Sequence, residues 1–185
     1  MWWHQHVSVR TVALVHDDEI VRVREALACL YGAVAAVMRH DDDGTALLLT
    51  DLAGCFDGFD DLLVAISVAT LERLEAAVGA GPSIEPAEGR PIAQELLAVA
   101  HGYRVASRDA VQYAAWRLDA VRQGDRHQVM LDIAGSRAIA TDEELILGAT
   151  ALLTATVVLW ARRTGQTPSG AIIDLCLAAS LDVAS

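Results

Sequence analysis

The chain of 185 residues contains no lysine and no asparagine, so each of its 14 basic residues is an arginine. Both missing residues are encoded by AT-rich codons, and a GC-rich bacterial genome is the simplest explanation for their absence. We therefore interpret the missing lysines as codon bias. The number of arginines by itself does not indicate an adaptation for reading phosphate groups.

Cysteine is scarce and scattered. The three cysteines, Cys29, Cys55 and Cys176, are far apart, odd in number and form no C-x-x-C motif. This pattern excludes a disulfide framework and predicts reduced, mostly buried thiols. Residues 1–6 lack the basic segment and the apolar segment with which a signal peptide begins. We therefore expect a cytoplasmic protein.

Positive charge is also scarce, and its shortage lies in the first half of the chain. Residues 1–88 hold 15 acidic residues against 5 arginines, a net charge of −10, whereas residues 89–185 hold 10 against 9. Nucleic acids and anionic membranes are bound mainly through basic contacts. The acidic half therefore argues against free nucleic acid and against a membrane surface, and it predicts a protein partner of basic character.

The chain has one long stretch without charge, residues 145–161. This stretch determines whether we expect a membrane-spanning protein or a soluble one. A membrane-spanning helix needs about 20 mostly apolar residues, and this stretch is shorter and rich in alanine and threonine. Acidic residues precede it and two arginines follow it, which suits the dipole of a soluble helix. Thr141 and Glu144 have the spacing of a capping box. We expect a central buried helix over residues 141–163.

Apolar residues recur at helical spacing along most of the chain, which predicts an all-α bundle of about six to eight helices. Two short segments, 46–53 and 125–139, are less certain, and strands at 12–15 and 46–50 stay open. The predicted helices cover residues 17–39, 58–78, 91–105, 107–122, 141–163 and 168–179.

A linker rich in proline and glycine, residues 79–91, divides the helical pattern. We predict an acidic N-terminal helical part (1–80) and a larger C-terminal helical part (81–185), together forming one compact domain. The apolar stripe of residues 20–37 has heptad spacing. With the small residues of 145–161 it offers surfaces for self-association, so a homodimer is a further expectation.

Two strings resemble a response-regulator receiver domain. Residues 12–18 are similar to its first strand and acidic pair, and residues 47–51 are similar to the strand that carries its phosphoacceptor. The resemblance implies a central parallel sheet, Mg²⁺ held by Asp17 and Asp18, and Asp51 as the phosphoryl acceptor. A glutamate–proline pair stands where the family has lysine–proline. The alternative function is therefore a degenerate receiver-like regulator.

Two His-Asp doublets, His16-Asp17 and His40-Asp41, resemble the metal-binding doublet of HD phosphohydrolases, which are helical. This resemblance implies a metal-dependent phosphohydrolase as a second alternative. Residues 41–45 also match the D-x-D-G-T string of haloacid-dehalogenase phosphatases, in which the first aspartate is the nucleophile. Because no complete metal or nucleophile motif accompanies these strings, we assign no catalytic residue, no metal site and no cofactor.

One cluster combines arginines with aromatic and imidazole groups, in a region whose net charge is positive. Arginine beside tyrosine and tryptophan is typical of anion capture and of interface hot spots. The alternative is that the aromatic rings pack in the core while the arginines pair with acids of the other half. We predict a non-catalytic protein that binds another macromolecule as a regulator, adaptor or inhibitor. The candidate binding residues are His101, Tyr103, Arg104, Arg108, Tyr113, Trp116 and Arg117.

Overall fold

Residues 17–79 and 92–182 are described by the structure, a computed structural model. Within these two ranges the backbone forms eight α-helices and no β-strand, which confirms the predicted all-α bundle. The helices are α1 (Asp17–Met38), α2 (Asp42–Gly54), α3 (Phe59–Gly79), α4 (Ile92–Gly102), α5 (Arg108–Gln123), α6 (Arg126–Ser136), α7 (Asp142–Thr164) and α8 (Pro168–Asp182).

Helix α7 is the centre of the bundle and contacts α1, α3, α4, α5 and α8. Its ends are determined locally. Thr141 and Glu144 form the predicted capping box, and Gly165 ends the helix in the left-handed conformation at φ 71°. In the described part of the chain, α7 alone is long and apolar enough to cross a membrane, but 78% of its apolar window is buried within the fold. This burial fits the predicted core helix of a soluble protein.

A glycine allows α5 to approach this central helix closely. A Cβ atom added at Gly148 of α7 would lie 2.6 Å from the carbonyl carbon of Ala110 on α5. Real Cβ contacts are longer, so any side chain at this position would push the helices apart. Gly148 therefore contributes to the fold as a crossing point and does not interrupt the helix.

Polar residues inside α7 are hydrogen-bonded within the helix itself. The hydroxyl groups of Thr150, Thr154 and Thr156 donate to the backbone carbonyls four residues earlier, at 2.8–2.9 Å. All three threonines are buried. Because each hydroxyl has an acceptor, burial leaves no unsatisfied donor, and the threonines can serve as small core residues.

The segment between α1 and α3 differs from two of the sequence interpretations. Residues 46–50 are helical, so the receiver interpretation, which requires a strand before Asp51, is wrong. Asp51 lies exposed on α2. Asp41, the nucleophile that the haloacid-dehalogenase resemblance implies, instead caps α2 by accepting a hydrogen bond from the Gly44 N–H at 2.9 Å. Residues 12–15 lie outside the described part.

Both surfaces from which we predicted self-association are used inside the molecule. Leu30, Val34 and Val37 of the α1 stripe are buried, and so is most of α7. Val23, in the first half of the stripe, is 43% exposed, so the buried part of the stripe and α7 are not available to a second copy, and the homodimer stays a prediction. The buried residues from Leu30 to Leu175 form one cluster that includes helices on both sides of the proposed linker. Residues 80–91 themselves lie outside the described ranges.

Candidate functional site

The first part of the predicted cluster lies where α4 ends and α5 begins. Helix α4 ends at Gly102, and a short loop leads to Ser107, whose hydroxyl accepts the Ala110 N–H at 3.2 Å and so caps α5. The predicted helix over residues 91–105 included Arg104. That bound is wrong, because α4 ends at Gly102 and Arg104 lies in the loop, outside both helices.

The loop brings the side chains of His101, Arg104 and Arg108 together. They surround an open cavity of about 420 Å³, which Gly102 and Ala106 also line. We call this the basic cavity. Its lining combines two guanidinium groups and one imidazole with no carboxylate. Sequence reasoning found the charged residues of the site from their chemistry but missed the two small residues that leave room for a ligand.

Among the described residues, the two arginines of the basic cavity have no acidic partner. Neither Arg104 nor Arg108 forms an ion pair within the described part of the chain. Other arginines do: Arg137 contacts Asp60 at 2.9 Å, and Arg162 contacts Glu95 at 3.5 Å. The alternative interpretation, in which the arginines pair with acids, therefore holds for arginines elsewhere and not for those of the cavity.

Both arginines also occupy positions that disfavour them. Arg104 has a positive φ of 59°, in the left-handed region that non-glycine residues rarely adopt. Arg108 is the first residue of α5, where the partial positive charge of the helix dipole repels a cation. Their placement therefore reduces the stability of the fold.

His101 contributes a ring with one shielded nitrogen. Its Nε2 atom is buried and has no hydrogen-bond partner among the described residues. His101 nevertheless lines the cavity and brings an imidazole ring to it. The neighbouring Tyr103 does not line the cavity. Its ring lies 6.0 Å from that of His40, and burial raises the pKa of its hydroxyl, which nearby Arg162 partly offsets.

The aromatic residues of α5 form a second feature, away from the cavity lining. Tyr113 and Trp116 meet edge to face, with ring centroids 5.2 Å apart and planes at 85°. Tyr113 also packs against the hydrophobic core, whereas Trp116 is 55% exposed. Tyr113 thus behaves as the core alternative predicts, and it holds the exposed Trp116 ring in place.

Arg117 does not lie with the surface residues among which the sequence analysis placed it. Its side chain is 0% exposed, and its three guanidinium nitrogens have no hydrogen-bond partner in the described structure. Desolvation lowers its pKa to about 10, which the charge of Asp132 partly counteracts. A signal was present: Ala114, Arg117 and Val121 have the spacing of one helical stripe, and the other two are apolar and buried.

No metal centre forms in the described ranges. No three His, Cys, Asp or Glu side chains there are grouped so that they could hold an ion. In the His40-Asp41 doublet the carboxylate caps α2, and the other doublet includes His16, which lies outside the described residues. The HD resemblance therefore gains no support from the arrangement of these side chains.

Comparison with known proteins adds no relative to this picture. No protein-family model matches the sequence, and neither a curated protein nor a solved structure matches the chain. The basic cavity and the aromatic pair of α5 therefore have to be interpreted from their own geometry.

Proposed function

We propose that this protein acts by binding another protein, as a regulator, adaptor or inhibitor, and catalyses no reaction. The observation that carries the proposal is the exposed Trp116 ring, which Tyr113 supports from the side. Tryptophan is the residue type most enriched at binding hot spots. An aromatic ring that is already ordered in the free protein loses little side-chain entropy on binding.

The position of Trp116 adds to this argument. It lies in the middle of α5, whose other face is packed into the core through Ala110, Ala114 and Val121. A partner would therefore meet a rigid helix and not a loop. Monomeric proteins expose scattered apolar residues as a rule, so the argument rests on the supported geometry of this ring and not on its exposure alone.

The charge of the partner is part of the proposal. Acidic residues of the first three helices are exposed, among them Glu25, Asp51 and Asp61, and so is Asp57 between α2 and α3. An acidic surface accelerates encounter with a basic partner and repels nucleic acid. We accordingly propose a basic protein partner, met in the cytoplasm. Association would weaken as salt is added, because exposed charges are screened.

The test is recovery of a partner on the immobilised full chain, with a variant that removes only the exposed ring. We expect Trp116→Ala to lose a protein that the wild-type chain retains from a lysate of its source cells. Ile173→Ala is the matched control, since Ile173 is 60% exposed on α8, which does not pack against α5. Quantitative mass spectrometry of the bound proteins gives the comparison.

The possible results distinguish a wrong contact surface from a wrong function. The proposal is supported if the wild type and Ile173→Ala retain a protein that Trp116→Ala loses, and if that protein binds the wild type again after purification. Equal retention by all three forms excludes Trp116 as the contact. No protein enriched over an unrelated acidic control protein would overturn macromolecular binding itself.

A further inference from the structure

We propose that the basic cavity binds a small organic molecule that carries a doubly charged oxyanion, either a phosphate monoester or a dicarboxylate. The site is distinct from the proposed protein-binding ring, because Trp116 does not line it. Its lining residues are His101, Gly102, Arg104, Ala106 and Arg108.

The chemistry of the lining selects an anion. Guanidinium groups bind carboxylate and phosphate through two parallel N–H donors, and the cavity is lined by two arginines together with His101. The two guanidinium charges match a dianion. Because neither arginine is paired with a carboxylate in the described ranges, no internal ion pair has to be broken before a ligand can enter.

The start of α5 supplies further donors at the same place. The Ser107 hydroxyl accepts the Ala110 N–H, and the Ser107 carbonyl accepts the Val111 N–H. The N–H groups of Arg108 and Asp109 have no acceptor within the described part of the chain. Free N–H groups in the first turn of a helix bind oxyanions, and Arg108, which carries one of them, lines the cavity.

The cost of the arrangement is a separate argument for a ligand. Arg104 adopts a left-handed backbone, and Arg108 opposes the dipole of α5. Residues held in strained positions persist most often at functional sites. An anion in the basic cavity would neutralise the charge at the start of α5, so the ligand would remove part of the penalty that the free protein carries.

The size and charge of the surroundings favour a small molecule over a polymer. A cavity of about 420 Å³ exceeds a bare phosphate group and leaves space for an organic remainder, within the roughly 300–1,000 Å³ of typical ligand sites. It is an open cavity where one short loop joins α4 to α5. The chain carries a net charge of −11, which repels a nucleic acid backbone over the rest of the surface.

The experiment titrates the full chain with inorganic phosphate, with succinate and with sodium chloride at matched ionic strength, and follows backbone amide shifts by two-dimensional NMR. We expect saturable shifts of the Arg108 and Asp109 amides with at least one of the two dianions and not with chloride. Saturation by phosphate alone assigns the phosphate class, and saturation by succinate alone assigns the dicarboxylate class. Saturation by both supports the shared dianion chemistry.

Two variants test the residues. Arg104→Gly removes one guanidinium and suits the left-handed backbone, so it should fold well and weaken dianion binding about tenfold or more, as expected for a lost charged hydrogen bond. Arg126→Gln is the matched control, since Arg126 begins α6 as Arg108 begins α5 but lies outside the cavity. It should bind like the wild type.

Two results would overturn the site: no saturable shift with either dianion, or equal weakening by Arg104→Gly and Arg126→Gln. Trp116→Ala should bind the dianion unchanged. The same set of variants therefore distinguishes a failure of the protein-binding proposal from a failure of the dianion-binding proposal.

Discussion

Replacing the buried arginine should make the protein more stable. Arg117 is fully buried, and its guanidinium group has no hydrogen-bond partner in the described structure. Burial lowers its pKa to about 10, which corresponds to a penalty of about 3 kcal/mol on the charged form. Methionine matches the aliphatic stem of arginine and carries no charge. We expect Arg117→Met to raise the free energy of unfolding by about 1–3 kcal/mol.

The assay is urea unfolding near neutral pH, followed by far-ultraviolet circular dichroism. For a domain of this size, a gain of about 1 kcal/mol raises the melting temperature by about 2–4 °C. Arg122→Met is the matched control, because Arg122 lies on the same helix with an exposed side chain. Its effect should stay within about 0.5 kcal/mol of zero.

The pH dependence provides an independent check with a definite sign. A base whose pKa is lowered in the folded state binds its proton less tightly there than in the unfolded chain. The penalty on the stability of the fold is therefore constant below about pH 10 and becomes smaller as the pH rises above that value. The difference in the free energy of unfolding between wild type and Arg117→Met should accordingly not change with pH around neutrality. This difference should become smaller only in strong alkali.

The neighbouring acid predicts a second comparison. The charge of Asp132 raises the pKa of Arg117, so it stabilises the buried cation. Asp132→Asn should lower stability in the wild-type background and have a smaller effect in Arg117→Met. The reasoning is refuted if Arg117→Met lowers the free energy of unfolding by more than about 1 kcal/mol. That result would mean that the guanidinium group has a favourable partner in the folded protein.

Two further predictions concern the packing and the thiols. Gly148→Ala should destabilise the protein by about 1–3 kcal/mol, because its methyl group would meet the Ala110 backbone. Gly135→Ala, in an open position on α6, should instead stabilise it by about 0.5–1 kcal/mol; thermal unfolding measures both. Burial raises the pKa of Cys29 and Cys55, and the thiolate is the reactive form. Both should therefore react slowly with a disulfide reagent in the folded protein, and faster in urea. Equal rates in the two states would contradict this.

The ends of α7 could be predicted because their causes are local. Thr141 and Glu144 satisfy each other's backbone donors within one turn, and Gly165 alone supplies the left-handed residue that ends the helix. Such signals need no knowledge of the rest of the fold. The role of Gly148, in contrast, could not be predicted from the local sequence. A side chain is excluded there by the backbone of Ala110, which lies 38 positions earlier in the chain.

Helix α2 could not be assigned because its apolar residues are too few to show a period. Residues 46–53 read equally well as a strand or a helix, and the similarity to a receiver strand favoured the wrong alternative. What decides the matter is Asp41, whose carboxylate accepts the Gly44 N–H and starts a helix through the acidic run. The same aspartates that suggested metal or phosphoryl chemistry are therefore the start of a helix.

The candidate site was predictable in its chemistry and not in its arrangement. His101, Arg104 and Arg108 were singled out because of their side chains, yet they meet around the basic cavity only because α4 ends at Gly102. Arg117 was grouped with them because it is close in sequence. One residue along a helix turns a side chain by about 100°, which is why Trp116 is exposed and Arg117 is buried.

Because the chain has no lysine, the choice of arginine at a position is not by itself evidence of function. Codon bias, our interpretation of the missing lysines, would account for the choice of arginine over lysine. It would not account for a basic residue at a left-handed position, at the start of a helix or in the core. Arg137 and Arg162 have acidic partners, so folding accounts for them. Arg104, Arg108 and Arg117 have none in the described ranges, and each carries a penalty that a neutral residue would avoid. Proteins tolerate such penalties where a function needs the residue. If the cavity variants stabilise the free chain and abolish dianion binding together, function accounts for Arg104 and Arg108, and Arg117 is the residue left to explain.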